Sequence, residues 1–267
     1  MHEQKSNLMI PASIILAGFL VATGIYFSNK GNTPAVKNNP ANETATNINI
    51  KPVSSTDHIL GDPNAPIVLV EFSDTECPYC KVFQTTMQTV MSTYGKAGQI
   101  AWVYRHFPLS KPDAQGNVLH RKSPKEAEAT ECVNELDGNT AFWKMLDTIY
   151  ANTPGNDGLD LAKLPEYAKS AGVDVTKFNT CLASGKYADA VEADFQDGVN
   201  AGAQGTPYNV LILKSALSSS AESTINDFVL KNGLARNVII SSNKKEVVLN
   251  GALPIAMMKI VLDAILK

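Results

Sequence analysis

Cysteine is scarce in this chain: four residues in 267, at positions 77, 80, 132 and 181. That is too few for a small domain stapled by disulfides in place of a core. A charge excess is missing too, since Lys+Arg number 23 and Asp+Glu 26, a formal net charge of -3. Such balance excludes a strongly basic nucleic-acid binder and an acidic solvating tail. No cysteine follows the apolar run near the N-terminus, which excludes a lipoprotein type of anchor. What is present is ordinary globular composition, 44% hydrophobic and 18% charged. It suffices for a sizeable core in one large or two small domains.

The stretch from Leu8 to Phe27 carries no formal charge. As a helix it reaches about 30 Å, the thickness of a bilayer core. Pro11 lies near its start, where a helix tolerates it. We therefore expect a single uncleaved transmembrane anchor within residues 1–30. A cleaved signal peptide is the alternative, with Ala22-Thr23-Gly24 as a passable site, but its apolar region would be shorter, ~7–15 residues. Lysines flank the span on both sides and give the positive-inside rule little weight. A short head before the span and a large domain after it place the bulk of the chain outside the cytoplasm. Residues 31–56 are rich in Asn, Thr, Pro and Ala and read as a disordered linker. The folded unit is expected over 57–267.

Ile67-Val68-Leu69-Val70-Glu71-Phe72 reads as a buried strand. Cys77-Pro78-Tyr79-Cys80 follows, and then Phe83, Met87, Val90, Met91 and Tyr94 recur at helical spacing. This order puts Cys77 at a helix N-terminus, with Pro78 in the first turn. The partial positive charge and free N–H groups there favour a Cys77 thiolate. Cys77 is thus the attacking and accepting sulfur, and Cys80, one turn in, the resolving one. Half of a zinc site is the competing reading, but Cys132 and Cys181 stand apart and the histidines are scattered, so no metal is expected. Glu71 is either an edge-strand carboxylate reaching water or a partly buried carboxylate behind the cysteines. In the second case burial raises its pKa and lets it carry the Cys80 proton.

Far downstream, Gly205-Thr206-Pro207 precedes the apolar run Tyr208–Leu213. Together with Val68–Phe72, Cys77–Cys80 and Tyr104-Arg105-His106-Phe107-Pro108-Leu109, it resembles the DsbA-type thioredoxin-fold disulfide oxidoreductases. The resemblance is greatest to their membrane-tethered bacterial branch, whose leading segment Ile59–Pro66 resembles, and it spans about His58 to Lys267. It implies an α/β thioredoxin fold with an inserted helical subdomain at about 110–200. It also implies a cis Pro207 beside the cysteines, with Thr206 and Pro207 offering backbone groups to an extended substrate, and Glu71 on the family's buried acidic position.

Helical stretches are expected near 124–136, 141–150, 161–171, 175–184 and 187–199. Cys132 and Cys181 fall among them. Of three possible pairings, only Cys77–Cys80 with Cys132–Cys181 leaves the active pair free to cycle, and export favours a stable bridge. Two buried free thiols are the alternative. Phe142, Trp143, Met145 and Leu146 read as core rather than a client groove. His106 carries no assigned catalytic role, and His2, His58 and His120 read as solvent-exposed. Residues 214–235, with a helix near 221–230, depart from the family pattern.

The expected function is an extracytoplasmic oxidase that introduces disulfides into exported proteins, without a cofactor. Its partners would be reduced or unfolded exported polypeptides and a membrane-embedded reoxidising protein; nucleic acid is not one. A reductase or isomerase on the same fold is the second reading, and a non-catalytic binding module the third. Tyr79 lacks the cationic option of a histidine, so a weaker oxidant is expected than in relatives with histidine there.

Overall fold

A computed structural model describes residues 48–112 and 115–267. The expected anchor and residues 31–47 of the expected linker lie outside the described residues. Among the described residues no helix is long and apolar enough to cross a membrane.

Short runs of β-branched and apolar residues build one six-stranded sheet. Its strands are β1 (His58–Leu60), β2 (Ile67–Ser73), β3 (Ile100–His106), β4 (Tyr208–Leu213), β5 (Val238–Ile240) and β6 (Glu246–Asn250). They lie in the order β1-β3-β2-β4-β6-β5. β2 runs parallel to β3 and antiparallel to β4, so the central strand carries Glu71 between Tyr104 and Asn209. The edge-strand reading of Glu71 is thereby corrected: its neighbours on both sides are strands, and it is fully buried.

Strand alternation sends Ile67, Leu69 and Glu71 to one face of the sheet and Val70 and Phe72 to the other. The first face is covered by α1 (Pro78–Val90), α6 (Ser219–Asn232) and α7 (Ile255–Ile265). The departure at 214–235 thus caps the sheet, since Leu217, Ala221, Ile225, Phe228 and Val229 join this core. α5 (Ala188–Ala201) covers the second face, and it comes close. A Cβ on Gly198 would stand 2.5 Å from the Phe107 ring and 2.9 Å from that of Phe72, so only glycine permits that approach.

The insertion is helical, as expected. α2 (Ser123–Asn152) breaks at Asp137 and Gly138, where Gly138 takes φ 76, and its two arms correspond to the two stretches read from the sequence. α3 (Leu164–Ala171) and α4 (Val175–Ser184) pack on it around Cys132, Met145 and Phe178. Phe142, Trp143 and Leu146 of the second arm belong to the core beneath the active helix, while Met145 turns into the core of the insertion.

Three expectations are corrected. Residues 48–56 are not a free linker. Ile48, Ile50 and Val53 pack on the second sheet face, and the Lys51 N–H donates to Asp197 at 2.8 Å. Arg105 fastens the same segment, donating to the Lys51 carbonyl at 3.1 Å and pairing with Asp57 at 2.7 Å and Asp197 at 2.6 Å. Its apolar residues were too sparse to signal burial by composition. His58 and His120 are not exposed but 5% and 4% accessible, because each meets a buried carboxylate: Glu131 for His58 and Asp74 for His120.

Cys132 and Cys181 form a disulfide joining the first arm of α2 to α4. Closing a loop of that length restricts the unfolded chain by an amount worth about 4 kcal/mol. Replacing both cysteines by alanine should lower the denaturant midpoint of unfolding by a corresponding amount, with the active cysteines still present; an unchanged midpoint would show that the bridge adds nothing.

Candidate active site

β2 ends at Ser73, and the following turn delivers Cys77 to the start of α1. Cys77 is the N-cap residue and Pro78 the first helical residue, where a missing N–H costs nothing. The loop is held by acidic side chains acting as acceptors. Asp74 accepts from the N–H of Glu76 at 2.7 Å and of Leu109 at 2.6 Å, and pairs with His120 at 2.9 Å. Glu76 accepts from the N–H of Gly158 at 3.0 Å and of Leu159 at 3.1 Å, tying the loop to the insertion. Burial and the adjacent Glu76 push Glu126 up to about 9, so these two buried acids do not carry two charges at neutral pH.

Cys77 and Cys80 are both free thiols. Cys77 is 5% accessible and Cys80 fully buried, the asymmetry expected of an accepting and a resolving sulfur. The Thr206–Pro207 bond is cis, and the Thr206 carbonyl lies 3.5 Å from the Cys77 sulfur. Residues far apart in sequence therefore meet at one sulfur. Cys77 is lowered to about 6, chiefly by the hydrogen bond from Cys80, against an opposing push from burial; the Thr206 side chain, not its carbonyl, and the N–H groups of Cys80 and Tyr79 add to the lowering. Cys80 moves the other way, raised by burial and by the neighbouring Cys77 and Glu71 charges.

Behind the pair, Glu71 accepts from the Trp102 indole at 2.9 Å, while its second oxygen has no hydrogen-bond partner. Burial raises it to about 7, opposed by Ser73 and Trp102. Ser73 also meets the Tyr150 hydroxyl at 3.0 Å, which meets Tyr104 at 3.1 Å. Tyr79, by contrast, stands in solvent at 70% accessibility, next to exposed Val82. Sequence reading missed Ser73, Trp102, Tyr104 and Tyr150 because each looks like ordinary strand or helix core. It also missed Asp74 and Glu76, although two acids in the short link between an apolar strand and C-x-x-C were a legible signal. His106 lies 3.1 Å from Glu131, away from the sulfurs' own hydrogen bonds.

This arrangement is a thioredoxin-fold dithiol site. The thioredoxin family profile matches residues 53–212, and the chain belongs to that family. Its fold is similar to that of DsbA-type oxidoreductases. It superposes on Wolbachia pipientis alpha-DsbA1 with TM-score 0.59 at 20% identity, covering 80% of this chain and 92% of that one. For oxidised BdbD of Bacillus subtilis the values are 0.55 and 21%, covering 69% and 96%. Curated relatives by sequence carry a different name. A Na(+)/H(+) antiporter NhaA 3 of Salinispora tropica is 29% identical over 61% of this chain, and an NhaA 1 of Mycolicibacterium gilvum 32% identical over 46%. The matches span only 24% and 18% of those proteins' lengths, so the chain corresponds to a minor part of each.

Two outcomes follow from the electrostatics. Alkylation of Cys77 by iodoacetamide should rise with pH through a midpoint near 6, and a midpoint near that of a free cysteine would refute the thiolate assignment. Glu71 keeps its proton in the fold up to about 7 but loses it near 4.5 when unfolded. Folding should therefore lose on the order of 3 kcal/mol as pH rises across that window. Glu71→Gln should remove this loss, stabilising the protein at pH 8 and leaving it nearly unchanged at pH 4.

Proposed function

We propose that the protein is a membrane-tethered, extracytoplasmic thiol-disulfide oxidoreductase that introduces disulfides into exported polypeptides. The observation that carries the reading is the Cys77 sulfur held between a helix N-terminus and the Thr206–cis-Pro207 loop, with its pKa lowered. Stabilising the thiolate stabilises the reduced form, which makes the disulfide a better oxidant.

In the proposed cycle the starting state has a Cys77–Cys80 disulfide. A client thiolate attacks the Cys77 sulfur, the Cys77–Cys80 bond breaks, and Cys80 leaves with the electron pair. Glu71, protonated up to about 7, supplies the proton that Cys80 takes in its buried position. A second client thiolate then attacks the client sulfur of the mixed disulfide, and Cys77 departs as the stabilised thiolate. The client has lost two electrons and the protein has gained them. A membrane-embedded partner accepts them and restores the disulfide; no further cofactor enters the cycle. Thr206 and Pro207 hold the client backbone in extended form, which suits unfolded chains of varied sequence. Exposed Tyr79 and Val82 supply apolar contact beside the sulfur. The uncharged span at 8–27 is the proposed tether.

A reductase is the second reading, favoured by the same buried Glu71, which can equally take the Cys80 proton in the reverse direction. The reduction potential of the purified protein, equilibrated against glutathione buffers, separates the two. A value between about -120 and -180 mV supports disulfide donation, and one near -270 mV turns the assignment to reduction. Cys77→Ser should abolish exchange with a reduced client, whereas Cys80→Ser, first charged as a Cys77–glutathione mixed disulfide, should release glutathione to a client thiolate's attack and hold the client in a mixed disulfide; turnover retained without Cys77 would refute the site.

A further inference from the structure

His58, His106 and Glu131 converge at a second place, outside the dithiol chemistry. Among the described residues they form the one group of three such side chains whose ligand atoms all lie within 4.8 Å of one another. The fold dictates the meeting. β1 and β3 are antiparallel with His58 opposite Tyr104, so His106 lies diagonally from His58 on the same sheet face. Diagonal partners of this kind are within reach of long or aromatic side chains. The first arm of α2 lays Glu131 over that face. Nε2 of His58 is 2.7 Å, and Nε2 of His106 3.1 Å, from the same Glu131 oxygen.

The rings are oriented in advance. His58 stacks on Phe142 at 3.6 Å with planes 8° apart, which fixes where its Nε2 points. His106 has Thr130 Oγ1 as its other Nε2 neighbour, at a longer 3.3 Å, and that hydroxyl already donates to the Ala127 carbonyl at 2.8 Å. Two imidazoles and a carboxylate are a donor set for borderline divalent transition cations.

We infer that His58, His106 and Glu131 form a binding site for a divalent transition cation of the zinc class. A tetrahedral ion with bonds near 2.0–2.2 Å spreads its ligand atoms to about 3.3 Å apart. The two histidine–Glu131 pairs, at 2.7 and 3.1 Å, open slightly to reach that spacing, and the two histidine nitrogens already lie within 4.8 Å of each other, so side-chain adjustment of the rings and the carboxylate brings all three atoms to it. Glu131 remains 12% accessible, leaving a side open for water as fourth ligand. Binding displaces any Nε2 proton to Nδ1 and changes no oxidation state. The ion would tie β1, β3 and the insertion together, and its place is separate from the cysteines.

The test uses the full-length chain, stripped with a chelator and with Cys77–Cys80 oxidised so that no free thiolate competes. Titration with zinc chloride against a chromogenic chelator should give one equivalent per chain and raise the thermal unfolding midpoint. Glu131→Gln and His106→Gln should each weaken binding by at least about tenfold. His120→Gln should leave the affinity as it was. Nitrogen-15 NMR of the wild-type histidines provides a readout that needs no variant: zinc should convert His58 and His106 to forms protonated at Nδ1 only. Absence of binding at micromolar zinc, affinity that survives both substitutions, or ring nitrogens unmoved by zinc would each overturn the inference.

Discussion

The active site rests on one electrostatic arrangement: a sulfur at the start of α1 surrounded by groups that favour its anion. The Cys80 thiol, the Thr206 side chain and the N–H groups of Cys80 and Tyr79 lower Cys77 to about 6, against the cost of its burial. Each contact requires a different part of the chain. The helix N-terminus comes from the link after β2, and Thr206 from the turn before β4, so the pairing of these two strands sets the distance between them. The remainder of the sheet keeps that pair in place.

Beneath the sulfurs the structure accepts costs that a purely structural core would avoid. Glu71 is fully buried on the central strand with one oxygen unpartnered, and Glu126 has neither oxygen paired in a conventional bond. Unpaired buried carboxyls are expensive unless they hold a proton, and both are raised accordingly. The insertion does more than cover the site. Its second arm contributes Trp143 and Tyr150 to the core under the cysteines, and its later turn donates the N–H groups that fix Glu76. Its own core is closed by the Cys132–Cys181 bridge. The loop before Cys77 is therefore tied to a subdomain remote in sequence.

Much of this was legible from the residues. The β-branched run at 67–72, Pro78 after Cys77 and the helical spacing to Tyr94 each report a local preference, and local preferences survived folding here. The cis bond at Pro207 was not readable locally and entered only through the family resemblance. Residues 48–56 were misread because their few apolar side chains, Ile48, Ile50 and Val53, dock on a sheet face that composition cannot foresee. His58 and His120 were misread for a related reason: a polar residue looks solvent-exposed until its buried partner, Glu131 or Asp74, is brought to it by tertiary structure. Arg105, to which the sequence alone assigned no role, likewise makes sense inside a strand only once Asp57 and Asp197 flank it.

The account stands on the claim that the fold favours the dithiol form through the Cys77 thiolate. Folding free energies of the oxidised and reduced protein, measured by chemical denaturation from pH 5 to 8, test it directly. Cys77 titrates near 6 in the fold and near 9 when unfolded, so its contribution is present above the unfolded value and fades as pH falls through about 6. At pH 7 it is on the order of 1 kcal/mol. The account predicts a reduced form more stable than the oxidised form at pH 7–8, with the margin shrinking toward pH 5. An oxidised form that is the more stable at every pH would contradict it.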